Sequence, residues 1–113
     1  MPRVIEIDVA RDFTTAPGAR FRSHGENSGE DFRERFLDPH FADQSEESVV
    51  LIRLDSVAGF APSFLDEAFG GLARKYGADL VENRLRFVSA DDPDLVQEIL
   101  KYIRAASDKP RKP

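Results

Sequence analysis

Two histidines, His24 and His40, and a serine at a strand-to-helix junction, Ser63, are the side chains best suited to chemistry in this 113-residue chain. Neither histidine has a second ligand at helical spacing, so a metal site would have to be assembled in three dimensions with carboxylates making up the set. The plainer reading is two loop or surface histidines, and no metal is expected. The chain has no cysteine, which excludes a disulfide framework, a thiol nucleophile, a thiolate zinc site and an iron–sulfur cluster. Ser63 stands where hydrolases present a nucleophile, yet Phe60-Ala61-Pro62-Ser63-Phe64 lacks the glycines that let a nucleophile elbow turn sharply. No histidine is placed by sequence to take its proton. Its plainer role is to cap the following helix, with Asp66 returning the hydrogen bond. Asp66 and Glu67 are adjacent, point in different directions and do not form a paired acid and base. No enzyme is expected.

Two glycine-bearing segments remain. Ser23-His24-Gly25-Glu26-Asn27-Ser28-Gly29 has the look of an anion-cradling loop ahead of a helix, because glycines let backbone amides converge on a helix N-terminus. It lacks the Gly-Lys-Ser/Thr ending of a nucleotide loop, and Glu26, Glu30 and Asp31 would repel a phosphate. Arg20 and Arg22 could compensate, which leaves Arg20, Arg22, Gly25, Ser28 and Gly29 as a candidate ligand loop. Gly70-Gly71 is the second oddity, since two glycines inside a helix cost about 0.8–1 kcal/mol each against alanine. Either the helix packs closely there within the fold, or a partner's backbone approaches a smooth patch.

The elements that position these residues follow from periodicity. Val4 to Val9 alternates, with Ile5, Ile7 and Val9 on one face, as in a half-buried strand. Thr14 to Gly18 is a turn, and Ala19 to Ser23 is a candidate second strand. Ser28 caps a short helix carrying Phe32 and Phe36, which Pro39 stops. After an acidic connector over 43–48, Val49 to Leu54 is nearly continuously apolar, the pattern of a strand buried on both faces with helices on both sides. Ser63 opens the clearest helix, with Leu65, Ala68, Phe69, Leu72 and Tyr76 in a stripe and Gly77 ending it. Arg84 to Val88 is a further strand. Asp92-Pro93 starts a last helix whose inner side carries Leu95, Val96, Ile99, Leu100 and Ile103. The expected architecture is α/β, a single mixed sheet of about four strands with three or more helices. Residues 1–106 form the domain and 107–113 a flexible tail.

Composition bounds the rest. Sixteen basic and 21 acidic residues leave a net charge of −5, which argues against a nucleic-acid partner. No apolar run approaches the ~18 residues of a membrane span, and Met1 to Ala10 lacks the apolar stretch of a signal peptide. A cytoplasmic, soluble domain without a cofactor is expected.

Residues 49–57 followed by 60–72 resemble the central strand, loop and helix of STAS domains, the anti-sigma factor antagonist modules also found in sulfate transporters. The chain is more closely similar to a bacterial STAS-like family of unknown function. That family joins Gly-x-x-Ser-Gly-Glu-x-Phe-Arg, here Gly25 to Arg33, to Ser-Phe-x-x-Glu-x-Phe-Gly, here Ser63 to Gly70. The resemblance implies a STAS-like fold and a non-enzymatic regulatory domain that binds a histidine-kinase-like ATPase. In antagonists, phosphorylation of a serine at the start of the helix after the central strand switches that binding off, and the matching position is Ser63. This chain has Ala61-Pro62-Ser63-Phe64 where antagonists carry Asp-Ser-Ser-Gly. The docking surface implied comprises Ser63, Phe64, Glu67, Gly70 and Gly71. The ligand loop at Arg20 to Gly29 stays open as the alternative.

Overall fold

A computed structural model describes residues 3–43 and 47–106 of the chain. Three strands form one parallel sheet in the order β1 (Val4–Asp8), β2 (Val49–Arg53), β3 (Leu85–Val88). Registered rows Ile5–Val50–Leu85 and Ile7–Ile52–Phe87 line one face, and the helices cover it. Among the described residues the sheet is thus parallel and three-stranded, neither mixed nor four-stranded. Residues 19–23, expected as a second strand, serve the next helix instead: the carbonyls of Ala19 and Arg20 accept from the amides of Gly29 and Glu30. A single 3₁₀ turn follows at Arg22–His24. The segment has only Phe21 to bury, and Phe21 stays 39% exposed.

Helices on both sides of the sheet were also expected, and among the described residues only one side has them. Val50 and Ile52 are fully buried, whereas Val49, Leu51 and Arg53 on the reverse face are not. A middle strand flanked by two neighbours can be apolar throughout without being buried on both faces.

Helix α1 spans residues 29–42. The Ser28 side chain accepts from the Asp31 amide at 3.0 Å, as the capping pattern predicts, but the Asp31 carboxylate turns to Arg22 and Arg35. Pro39 does not stop this helix. The turn Arg33–Leu37 widens to an i+5 hydrogen-bonding pattern, and Pro39 then falls in the first turn of the segment Asp38–Ala42, where its missing N–H is harmless. Helix α2 spans residues 62–76 and contains a matching widened turn at Asp66–Gly70. Its cap is Ala61 rather than Ser63, because Pro62 takes the first helical position with its φ already set. Ser63 consequently makes no capping bond, and Asp66 pairs elsewhere. Gly77, at φ 109°, ends α2, and a helix that periodicity did not reveal, α3 (Ala78–Arg84), begins at once. Helix α4 (Asp94–Ala105) starts just past Asp92-Pro93, with Pro93 in the cap position, and buries Leu95, Ile99 and Ile103. The expected tail over 107–113, and residues 44–46 of the acidic connector, lie outside the described residues.

The core joins α1, α2 and the sheet through aromatic rings. Phe32, Phe41, Phe64 and Phe69 are fully buried; Phe32 lies 6.0 Å from Phe64 and 6.1 Å from Phe69, and Phe69 meets Phe87 of β3 edge-on at 5.5 Å. Among the described residues, no helix is long and apolar enough to cross a membrane.

Candidate functional site

The carboxyl ends of β2 and β3 open into two loops that hold each other. Asp55 accepts from the amides of Ala90 and Asp91 at 3.1 and 2.8 Å, and Asp91 accepts from the Ser56 amide at 3.0 Å. Ser56 takes a positive φ of 67° in making this turn. The clamp fixes the approach to α2 and leaves a cleft of about 210 Å³ between the loops. Its lining is mixed, with apolar Leu54, Val57, Phe60 and Leu95 and acidic Asp91, Asp92 and Glu98. This is the position, beyond the carboxyl ends of parallel strands, where open α/β sheets commonly receive ligands. The Phe60 ring lies 5.6 Å from Phe64 and ties the cleft wall to the core.

Ser63 sits one turn beyond Phe60, half-buried, beside exposed Ala61 and Pro62. The other residues of the expected docking surface turn inward. Phe64 is fully buried and Glu67 is 9% exposed. Gly70 is buried and Gly71 half-buried.

What occupies them is an ion-pair network between α1, α2 and the 20–29 loop. Arg33 bridges Glu67 at 3.1 Å and Asp38 at 2.9 Å. Arg20 reaches Asp66 at 2.7 Å, and Arg74 reaches the other oxygen of Asp66 at 3.0 Å. Burial pushes the Asp66 carboxyl up, but the hydrogen bonds from Arg20 and Arg74 and their charges outweigh it and hold it below its ordinary 3.8. The two glycines make room for these pairs. A Cβ on Gly70 would stand 2.6 Å from Asp66 Oδ1, and one on Gly71 would stand 3.1 Å from Arg33 Nε. Gly70-Gly71 therefore serves close packing within the fold.

The ligand loop is engaged in the same way. Arg20 is held by Asp66, and Arg22 by Asp31 and Glu34. The amides of Gly29, Glu30 and Asp31 donate to Ala19, Arg20 and Ser28. Gly29 is buried, and a Cβ there would stand 2.5 Å from the Phe64 carbonyl oxygen. A shallow depression lined by Arg22, Gly25, Glu26, Asn27, Ser28 and Asp31 remains, but an anion there would have to displace carboxylates from Arg22. Of the histidines, His24 is exposed with its ring 5.5 Å from Phe21, and His40 lies in the last segment of α1. Among the described residues, no three His, Asp or Glu side chains are grouped to hold a metal ion.

The two motif segments thus meet across one helix pair: Gly29 packs on Phe64, Phe32 on Phe64 and Phe69, and Arg33 on Glu67 and Gly71. The family model described as the STAS-like domain of unknown function matches residues 28–95, which takes in both faces of that pair. The chain belongs to that family. No curated protein and no solved structure matches it. In this STAS-like domain the motif residues build the α1–α2 junction, and the surface that junction presents is the start of α2 with its clamped loops.

Proposed function

We propose that this STAS-like domain is a non-enzymatic, cytoplasmic regulatory module that docks on a protein partner, a histidine-kinase-like ATPase of the anti-sigma type, through the start of α2. The observation that carries the reading is the placement of half-buried Ser63 on the first turn of α2, beside exposed Ala61 and Pro62 and three residues past Phe60, which lines the cleft. Ala61, Pro62 and Ser63 supply the contact patch, and the cleft receives one aliphatic or cationic side chain of the partner. Phe64, Glu67, Gly70 and Gly71 serve this surface by fixing the helix. The reading needs no cofactor.

Phosphorylation of Ser63 is the switch. A phosphate brings about −1.5 to −2 charges, and set in an apolar contact patch near carboxylates it disrupts docking through desolvation and like-charge repulsion. The test uses this chain as bait in a lysate of its source cells, with the intact mass of the recovered bait measured. The reading expects a histidine-kinase-like ATPase in the eluate and one added phosphate on Ser63 after incubation with ATP. Recovery of no ATPase, with the bait mass unchanged, overturns it.

A further inference from the structure

The face of the sheet on which no helix packs among the described residues carries Val4, Glu6 and Asp8 of β1 beside Val49, Leu51 and Arg53 of β2, and Arg86 and Val88 of β3. None of these residues is buried, and Val4 is 62% exposed. Val49, Leu51 and Val88 belong neither to the core nor to the apolar side chains packed on it. Parallel sheets nearly always have both faces covered. We propose that two copies of this chain pack face to face through the bare side of the sheet, about a two-fold axis running along the strands.

Charge on the face chooses both the occupant and the axis. β1 presents Glu6 and Asp8, while β2 and β3 present Arg53 and Arg86, so the face is acidic along one side and basic along the other. Glu6 is held by Arg53 at 2.8 Å. Asp8 accepts the Arg11 amide and lies opposite Arg53, and Arg86 donates to the carbonyls of Asn83 and Leu85, so among the described residues neither side chain forms a direct ion pair within its own copy. An axis along the strands lays β1 of one copy over β3 of the other. Glu6 then faces Arg86 of the second copy, Asp8 faces Val88 beside that arginine, Leu51 meets Leu51, and Arg53, already paired with Glu6 of its own copy, meets Arg53 on the axis. An axis across the strands would set Glu6 on Glu6 and Arg86 on Arg86, like charge on like. A surface whose acidic and basic sides exchange under one rotation complements itself, as an isologous interface requires.

The face measures about 14 by 17 Å from the strand spacing and rise. That is small beside the about 800 Å² per partner of a standard interface, so the dimer is weak and forms only at high chain concentration.

Sedimentation equilibrium of the full chain from about 10 μM to about 1 mM tests this association. The wild type is expected to shift from monomer to dimer across that range. Arg86→Glu alone and Glu6→Lys alone should each remain monomeric, with circular dichroism unchanged because both positions are exposed. An equimolar mixture of the two should dimerise again, since the reversed charges then face each other. A wild type that stays monomeric at every concentration overturns the proposal and leaves the face to a different protein. So do single variants that dimerise like the wild type, which would point to pairing at a sheet edge, and a mixture that does not recover.

Discussion

Arg33 donates to Glu67 at 3.1 Å with both side chains close to nine-tenths buried, and this one bond ties the widened turn of α1 to the widened turn of α2. The two turns lie at the same level of the fold, and Gly71 leaves the room in which the guanidinium lies. Single widened turns of this kind are rare and recur at functional sites. Here they hold Arg33 and Glu67 within hydrogen-bond reach of each other.

The junction's tolerance of bulk differs sharply between its glycines. Gly29→Ala sets a methyl 2.5 Å from the Phe64 carbonyl oxygen and 3.1 Å from the Glu67 Cβ, and neither can swing aside. A loss of about 2–3 kcal/mol is expected in urea denaturation. Gly71→Ala meets side-chain atoms, Arg33 Nε at 3.1 Å and Cδ at 3.4 Å and Glu67 Oε2 at 3.5 Å, and the gain in helix propensity of about 1 kcal/mol offsets those contacts. Its stability should lie within about 1 kcal/mol of wild type. Equal losses in the two variants would contradict the account of the α1–α2 contact.

Arg84 is expected to matter more than its position at a helix end suggests. It is 8% exposed, donates to the Ser48 carbonyl at 2.8 Å and hydroxyl at 2.9 Å, and lies 4.4 Å from the Phe41 ring centre. Arg84→Ala removes both bonds to Ser48 and the contact with the Phe41 ring, which costs about 2–4 kcal/mol in thermal or chemical unfolding. A loss under about 0.5 kcal/mol, the range of a plain surface substitution, would show that the pin between β2 and α1 contributes little.

Asp66 gives the fold a defined acid dependence. Its folded carboxyl is depressed by Arg20 and Arg74, so its contribution is present above the unfolded value near pH 4 and is lost as pH falls through the lower folded value. Unfolding free energy measured from about pH 6 downward should therefore hold steady and then decline below about pH 4. Asp66→Asn should flatten part of that decline. An unchanged acid slope in the variant would assign the dependence to other carboxylates.

Much of this fold was legible in the residues, because each legible element rests on a local pattern. β1 shows in the alternation of Ile5 and Ile7, α2 in its stripe from Leu65 to Tyr76, and the α1 cap in Ser28. The misreadings have local causes as well. Pro39 signals a helix end only if the preceding turn is regular, and the widened turn at Arg33–Leu37 removes that condition. Ser63 is a good capping residue, but Pro62 shifts the cap back to Ala61. Gly77 does end a helix, and α3 after it is too short to show a period. The bare face of the sheet is invisible to periodicity, since Val49-Val50-Leu51-Ile52 reads the same whether or not a helix covers both sides.

The site was legible in part. Ser63 stands out from its junction and its motif, and the glycine pair from its cost. The Asp55–Asp91 clamp left no signal, because its partners lie 35 and 36 residues apart and carboxylates that accept from loop amides have no characteristic spacing. Long-range ion pairs such as Arg20–Asp66, 46 residues apart, are hidden for the same reason, and they are what turn Glu67 and Gly70 inward.

The most direct test of the docking surface is calorimetric titration of the histidine-kinase-like ATPase with wild type, Ser63→Ala and Ser63→Glu, each first shown to be folded. Ser63→Ala should bind within about twofold of wild type, while Ser63→Glu should bind at least about tenfold more weakly, which is 1.4 kcal/mol. Equal affinity for all three chains would contradict docking through the start of α2.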